Sequence, residues 1–250
     1  MRVNSIIKCS LSLLLFLSFS LFCHAEVRVV TDDPADMFIF YSTSIGQLAQ
    51  DGEGRNSPFA DAFLNNSQKN EPLALVAIDI VSDTYKKTMQ KQRPRYESQI
   101  INNKMYSLAG RSSSKKYALL IGNNNYQNLP NLENPVNDVQ DIAVILRLLG
   151  YEVELKTNTP LAEMESAVNS FVSKLSADKE SEGFFWFAGY GVQINGPNYL
   201  IPVDVNINND NQTQNSSFSL SKLFENLQKA GNKINVVFLD AAAHDWYGGR

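Results

Sequence analysis

Cysteine and histidine are the scarcest reactive residues in this 250-residue chain. Both cysteines, Cys9 and Cys23, and one of the two histidines, His24, lie within the first 25 residues. The other histidine is His244. Whether the chain has a thiol nucleophile, a disulfide or a Cys/His metal cluster therefore depends on whether those first residues are retained.

The chain also lacks an excess of basic charge. It has 22 Lys and Arg residues against 26 Asp and Glu residues, a formal net charge of −4. This balance provides no electrostatic case for binding nucleic acid or an anionic membrane. The composition, with 44% hydrophobic residues, is typical of a globular protein with one sizeable domain or two small ones. It excludes a disordered, collagen-like or disulfide-rich chain.

The first 25 residues have the pattern of a secretory signal peptide. Arg2 and Lys8 form a basic start, an apolar run covers residues 11–22, and a short segment with small residues ends at Ala25. The run is too short for a transmembrane helix, and no second hydrophobic stretch approaches about 18 residues. We expect cleavage after Ala25, export to the periplasm or out of the cell, and no membrane insertion of the rest. An uncleaved membrane anchor is the alternative.

Cleavage after Ala25 would change the chemistry open to the chain. It would remove both cysteines and leave His244 as the one histidine. It would also remove two basic residues and no acidic one, which takes the formal charge from −4 to −6. The remaining chain could not use a thiol nucleophile, form a disulfide or hold a Cys/His metal cluster. We expect neither a metal nor another cofactor.

A polar connector at residues 110–114 divides the remaining chain, and regular strand–helix alternation follows it. Beyond the connector, the patterns predict strands at 117–121, 151–155, 184–187 and 234–239, and helices at 135–149, from 159 onward and at 220–227. Before it, they predict strands at 37–41 and 104–108 and helices at 58–63 and 73–89. This alternation predicts an α/β fold, with helices on both faces of a sheet and functional loops at the carboxyl ends of its strands.

Five motifs follow one another beyond the connector: Ala118–Asn123, Asn134–Asp138, Phe187–Gly191, Asn198–Asp204 and Phe238–Ala241. In this order they resemble the large-subunit region of caspase-like peptidases, in the bacterial metacaspase or orthocaspase branch. In that family, the third strand ends in a Gly-His-Gly and the fourth in an Asp-x-Cys. The histidine is the general base and the cysteine is the nucleophile.

Both catalytic positions of that family carry other residues here. The histidine position is Tyr190 and the cysteine position is Ala242. A tyrosine with an ordinary pKa of about 10 is a poor base at neutral pH, and alanine cannot attack a carbonyl. Gly191, whose counterpart in the family donates its N–H to the oxyanion, would keep a vestigial role. The resemblance therefore implies a pseudoprotease.

Residues 26–109 are similar to the small-subunit region, which ordinarily follows the nucleophile strand. Phe38–Gly46 and Asp51–Phe59 carry this similarity. A small-subunit-like part thus precedes a large-subunit-like part at 115–250, with the connector at 110–114 as linker. This order implies a circular permutation within one domain of residues 26–250.

The resemblance implies a caspase-like sandwich with a six-stranded, mostly parallel sheet in the order 2-1-3-4-5-6. The last family strand would lie about 19 Å from the first. The eight residues from Leu108 to Lys116 can span that distance, because they reach up to about 27 Å when extended. We therefore expect one chain to close the fold as a monomer. A domain-swapped dimer is the alternative.

Acidic residues in metacaspase-like relatives line the pocket for the Lys or Arg side chain before the scissile bond. The matching positions here are Asp138 and Asp240. A pair of carboxylates suits a guanidinium or ammonium group. Ser42, Thr43 and Ser44 are expected to form part of a peptide-binding wall. The implied partner is a peptide or protein with an exposed Lys or Arg.

Other interpretations stay open from the sequence. Asp138 can instead be an acid in the first turn of a helix, and Asp240 can instead hold the loop that follows its strand. A residual or altered hydrolase would use Ser44 or Thr43 with His244. A structural interaction module of the cell envelope would use another surface altogether.

Overall fold

The structure is a computed structural model that describes residues 35–43, 49, 52–100 and 106–243. These residues belong to one compact unit. The proposed signal peptide, Ser44 and His244 lie outside the described residues.

The strands of the described residues form a single sheet. In chain order they are β1 (Asp36–Tyr41), β2 (Arg95–Ser98), β3 (Lys116–Gly122), β4 (Tyr151–Thr157), β5 (Glu182–Gln193), β6 (Asn198–Leu200), β7 (Phe218–Ser219) and β8 (Ile234–Ala243). The main path of the sheet runs β2-β1-β8-β5-β3-β4, while β6 pairs with β5 and β7 pairs with β6. The last strand of the chain therefore lies between the first strand and β5.

The sheet is mixed, with eight strands. The predicted α/β fold is confirmed, but the expectation of a six-stranded, mostly parallel sheet was wrong. The four central pairs, β1–β8, β8–β5, β5–β3 and β3–β4, are parallel, and β2, β6 and β7 pair antiparallel. β5 continues to Gln193 and reverses through a tight turn, where Asn195 and Gly196 have φ of 52° and 111°. The turn brings β6 back against β5.

The edge strand β2 lies earlier in the chain than the sequence predicted. It covers Arg95–Ser98 and pairs antiparallel with β1. Residues 106–108 of the candidate strand at 104–108 are not in a strand, and residues 104 and 105 are outside the described part. Tyr96 explains the placement, because its ring stacks on Phe38 at 5.2 Å and contacts Phe40 at 5.7 Å.

The helices lie on both faces of the sheet. They are α1 (Pro58–Asn66), α2 (Leu73–Lys87), α3 (Pro135–Leu148), α4 (Leu161–Ser176), α5 (Asp210–Asn215) and α6 (Leu220–Ala230). No helix in the described ranges is long and apolar enough to span a bilayer.

Two hydrophobic cores sandwich the sheet. One contains residues of α1, α2 and α3 with Phe38, Trp186 and Phe238, and the other contains residues of α4 and α6 with Phe185 and Phe187. Consecutive residues of β5 point to opposite cores, which is why this central strand is a continuous aromatic run. Because α1 and α2 share a core with α3, the parts before and after the connector pack as one body.

The connector is held at the amino-terminal end of β3. The Lys116 ammonium donates to the carbonyls of Leu108, at 3.1 Å, and Gly110, at 3.3 Å. Glu182 accepts hydrogen bonds from Ser112 and Lys233, each at 2.9 Å. Burial lowers the pKa of Lys116, while Glu182 raises it. A buried cluster of opposite charges thus fixes the chain where its two parts join.

Candidate functional site

Tyr190 and Ala242 lie side by side at the carboxyl end of the sheet. They occupy paired positions on the adjacent parallel strands β5 and β8. The next residue, Gly191, is paired with Ala243 on one side and with Leu200 of β6 on the other. Gly191 is therefore inside the sheet and not in a loop.

Tyr190 is buried in a small apolar cluster. Its ring lies 4.9 Å from the ring of Tyr126, and Ile201, Val203 and Val205 complete the cluster. The Tyr190 N–H donates to the Tyr126 hydroxyl at 2.9 Å. Burial raises the pKa of Tyr126. The two tyrosines thus pack against each other and are joined by a hydrogen bond from the Tyr190 backbone, and burial disfavours a phenolate at Tyr126.

Two glycines allow the close contacts at this end of the sheet. A Cβ on Gly189 would lie 2.5 Å from the Tyr126 hydroxyl oxygen. A Cβ on Gly122, at the end of β3, would lie 2.5 Å from the carbonyl oxygen of Pro135. The lack of a side chain at Gly122 lets the first turn of α3 pack against the end of β3, and at Gly189 it leaves room for the Tyr126 hydroxyl.

Asp138 and Asp240 meet at a single residue, Ser57. The Ser57 N–H donates to Asp138 Oδ1 at 2.9 Å, and its hydroxyl donates to Asp240 Oδ2 at 2.6 Å. Asp138 lies in the first turn of α3 and is 1% exposed, and Asp240 lies near the end of β8 and is 7% exposed. Two buried carboxylates from distant parts of the chain are thus joined by one serine.

The acid pair holds a proton at neutral pH. Burial, and after it the charge of Asp240, raise the pKa of Asp138 to about 8, although the hydrogen bond from the Ser57 N–H lowers it. Two close carboxylates in a desolvated site cannot both ionise without a large cost. At neutral pH, below the pKa of Asp138, the two carboxylates therefore share one proton.

A small cleft opens over the acid pair. Its lining consists of Ala49, Ser57, Leu132, Pro135, Asp138, Ala188, Gly189, Asp240 and Ala242. The structure thus brings together three of the residues singled out from the sequence, Asp138, Asp240 and Ala242.

Ser42 and Thr43 lie just past the end of β1 and do not line this cleft. The Ser42 N–H donates to the carbonyl of Leu239 at 2.9 Å, and the Ser42 carbonyl accepts from the Gln92 side chain at 2.8 Å. These contacts place Ser42 next to the carboxyl end of β8, one residue past the pair of Tyr41 with Leu239. Ser44 and His244, the other candidates for this edge, are outside the described residues.

The matches to known proteins fall on both sides of the connector. Residues 24–106 and 115–249 match the caspase domain. This chain belongs to the caspase-domain family. The match leaves out the connector itself, residues 110–114, which the buried cluster around Lys116 holds in place.

Parts of this chain are similar to parts of other proteins. Mucosa-associated lymphoid tissue lymphoma translocation protein 1 of Homo sapiens is 33% identical over 125 residues, 50% of this chain and 15% of that protein. Caspase-1 of Sus scrofa is 26% identical over 89 residues, 36% of this chain and 22% of that protein. Among solved structures, protein GSU0716 from Geobacter sulfurreducens has a TM-score of 0.39 and 18% identity, covering 51% of this chain and 50% of that one. The chain therefore spans less than a quarter of the length of these two curated relatives.

Ser57 is the site residue that sequence reasoning missed in this caspase domain. The Ser57–Pro58 pair predicts the start of α1, and the Ser57 hydroxyl does accept from the Ala60 N–H at 3.0 Å as a helix cap. The same hydroxyl also donates to Asp240, which is 183 positions away. No local sequence pattern predicts the hydrogen bond to Asp240, because it depends on how α1 packs against β8.

The residues before Ser57 attach its loop to α3. The Arg55 guanidinium forms a two-pronged ion pair with Asp141, at 2.8 and 2.9 Å, and the Asn56 side chain donates to the same carboxylate at 3.1 Å. The Asn137 side chain donates to the Arg55 carbonyl at 3.1 Å. The hydrogen bond from Arg55 lowers the pKa of Asp141. Unlike Asp138, Asp141 is therefore an ionised partner of this loop.

Proposed function

We propose that this caspase domain is an exported, circularly permuted pseudoprotease that binds a Lys or Arg side chain of a peptide or protein without cleaving it. One observation carries the proposal: Asp138 and Asp240 converge on Ser57 in a cleft that also contains Ala242. The site has an acidic pair for a cation and an alanine where the family has its nucleophile.

The surroundings of Tyr190 support the lack of catalysis. Tyr190 is 5% exposed and packs on Tyr126, and it neighbours Ala242 across the strand pair. A peptide carbonyl placed over this strand end would meet a methyl group and a buried phenol. Neither group can attack it or take up a proton at neutral pH.

The order of the strands supports the permutation. The family order 2-1-3-4-5-6 corresponds to β4-β3-β5-β8-β1-β2 along the observed sheet. In this correspondence the two strands from before the connector take the last two places. The proposal is that the covalent order changed while the position of each strand in the sheet was kept.

The acid pair supports a cationic ligand. A Lys or Arg side chain would replace the proton that the pair holds at neutral pH, so that two carboxylates and one cation face each other in a desolvated site. Because the ligand competes with a proton, we expect affinity to increase as the pH rises from 6 towards 8, by up to about tenfold per pH unit.

Titration of the purified protein with fluorescent peptides tests the proposed function. We expect peptides with a central Arg or Lys to bind, and the same peptides with Gln at that position to bind at least about tenfold more weakly. Asp138→Asn and Asp240→Asn should weaken the Arg and Lys peptides to the same extent. Asp210→Asn, at an exposed acid of α5, is the matched control and should bind as the parent does.

Two outcomes would contradict the proposed function. Binding that does not differ between the Arg peptide and the Gln peptide would mean that the acid pair recognises no cation. Turnover of a broad peptide set by the parent protein would mean that the chain is a hydrolase. If His244→Ala abolished that turnover, the residual-hydrolase hypothesis would replace the pseudoprotease.

A further inference from the structure

The outward face of α2 carries a line of apolar side chains, which we call the α2 stripe: Leu75, Ile78, Tyr85 and Met89. Leu75 is 50% exposed, Ile78 53%, Tyr85 36% and Met89 76%. Leu75, Ile78, Ser82 and Tyr85 lie within α2 and follow a 3-4-3 spacing, which is the seam that a helix presents to a partner helix. Met89 lies two residues past the end of α2, where its φ of 49° shows that the helix has ended.

The α2 stripe is separate from the face that α2 uses in its own domain. Leu73, Val76, Ala77, Ile80 and Thr84 are the buried residues of the helix. At 100° per residue they centre on the side opposite to the stripe. The helix is thus apolar on two opposite faces, and the fold accounts for one of them. A surface helix of a monomer typically has a polar outer face, so the stripe indicates a partner.

Charges beside the α2 stripe indicate what that partner is. Asp79 and Lys86 lie on the same flank, three residues before Ser82 and four residues after it. Lys69 already pairs with Asp79 at 2.6 Å, while Lys86 forms no ion pair within the described residues. A second copy of α2 running antiparallel and crossing near Ser82 would place each Lys86 beside the Asp79 of the other copy.

We propose that the α2 stripe is a self-association surface, on which two copies of this protein pair their α2 helices antiparallel about a two-fold axis near Ser82. The small Ser82 side chain at the crossing point lets the helices approach, and apolar side chains cover each other on both sides of it. Two symmetric Asp79–Lys86 pairs select this direction over a parallel arrangement. In a parallel pair, the flank with Asp79 and Lys86 would lie on opposite sides of the seam in the two copies, and neither Asp79–Lys86 pair would form.

One helix pair makes a small interface. The surface area that four apolar side chains from each copy can bury is at the lower end of the range found for specific interfaces. We therefore expect a reversible dimer that forms at micromolar or higher concentration. The acid pair belongs to α3 and β8 and not to α2, so the self-association does not depend on the proposed function.

A charge exchange tests the direction of the pairing. Sedimentation equilibrium of the purified protein should show a monomer–dimer equilibrium. Lys86→Glu or Asp79→Lys alone should weaken it about tenfold, because each creates two like-charge contacts. The double variant Asp79→Lys/Lys86→Glu should recover most of the affinity. Ile78→Glu should abolish the dimer, with an unchanged circular dichroism spectrum as evidence of folding.

Crosslinking tests the crossing point. In a background with Cys9→Ser and Cys23→Ser, a bismaleimide of about 10 Å reach should join Ser82→Cys chains into dimers but leave Leu75→Cys chains single, because the two Leu75 positions would be about 21 Å apart. Equal crosslinking at both positions would indicate a parallel pair and overturn the proposal. A monomer at every concentration would overturn it too, and would mean that another part of the chain or another protein covers the stripe.

Discussion

At the scale of single residues, Ser57 combines three contacts in the site. Its hydroxyl caps α1 and holds Asp240, and its N–H holds Asp138. A helix cap and two carboxylate contacts therefore depend on one short side chain and its own backbone. This arrangement couples the position of α1 to the acid pair.

Ser57→Ala should cost more stability than the loss of an ordinary helix cap. The variant loses the cap and leaves the buried Asp240 without the hydroxyl donor, so we expect the free energy of unfolding to fall by about 2–4 kcal/mol. Ser219→Ala is the matched control, because Ser219 caps α6 through the Lys222 N–H and holds no carboxylate. Urea denaturation measures both, and equal losses would contradict the double role of Ser57.

Asp138 should make the folded state less stable as the pH rises. Its pKa is about 8 in the folded protein and ordinarily 3.8, so between these values the folded protein holds a proton that the unfolded chain has released. The resulting contribution to the free energy of unfolding is complete below about pH 4 and is lost as the pH rises through 8. Over that range the free energy of unfolding falls by at most about 1.4 kcal/mol per pH unit. Urea denaturation between pH 5 and 9 should show that the free energy of unfolding depends less steeply on pH for Asp138→Asn than for the parent. Asp210→Asn should keep the parent slope.

At the scale of elements, the connector is an ordered part of the fold. Lys116 is 7% exposed and donates to the carbonyls of Leu108, just before the connector, and Gly110 within it, and Glu182 accepts from Ser112. The neighbouring Lys115 side chain is 69% exposed. The pattern of β3 predicts its buried apolar residues, but a sequence pattern does not distinguish these two lysines, because strand alternation is disturbed at the end of a strand.

Lys116→Met should loosen the connector, and Lys115→Met should not. The first change leaves the Leu108 and Gly110 carbonyls without their donor and takes one cation from Glu182, at an expected cost of about 1–3 kcal/mol. The second removes one exposed charge and should change the free energy of unfolding by less than about 0.5 kcal/mol. Limited trypsin cleavage at Arg111 provides the second measurement. Equal cleavage rates in the two variants would show that the cluster does not hold the connector.

At the scale of the whole molecule, the parts before and after the connector share one core. Phe59 and Phe63 of α1 lie 5.5 and 5.2 Å from the Trp186 ring of β5. β1 pairs with β8 over six residues, from Asp36 to Tyr41. Contacts of this extent join the two parts without regard to which comes first along the chain.

Restoring the family's covalent order should therefore keep the fold. A chain with residues 115–250 placed before residues 26–109 should give the same far-UV circular dichroism and a single cooperative urea transition. Its midpoint is expected to shift modestly, because rejoining the chain alters loop entropy and leaves the core contacts unchanged. Two separate transitions, or no folded state, would contradict the proposed permutation.

The sequence alone was sufficient to predict much of this architecture. Continuous apolar runs indicated the central strands, and the stripe of Met164, Val168, Phe171 and Leu175 indicated α4, whose four residues are all buried. The motif order indicated the caspase-domain family, which is confirmed. These features are local or depend on the order of motifs, so they can be read along the chain.

Tertiary structure decided what the acids of the site do. Asp138 and Asp240 were identified from the sequence, but their meeting at Ser57 and the raised pKa of Asp138 were not. The antiparallel extension of the sheet by β6 and β7 also appeared only in three dimensions. Burial and charge proximity arise when distant segments pack together, and no pattern within a single segment contains them. The scarcity of cysteine and histidine is visible in the sequence alone, whereas the packing of α1, α3 and β8 determines where Asp138 and Asp240 lie.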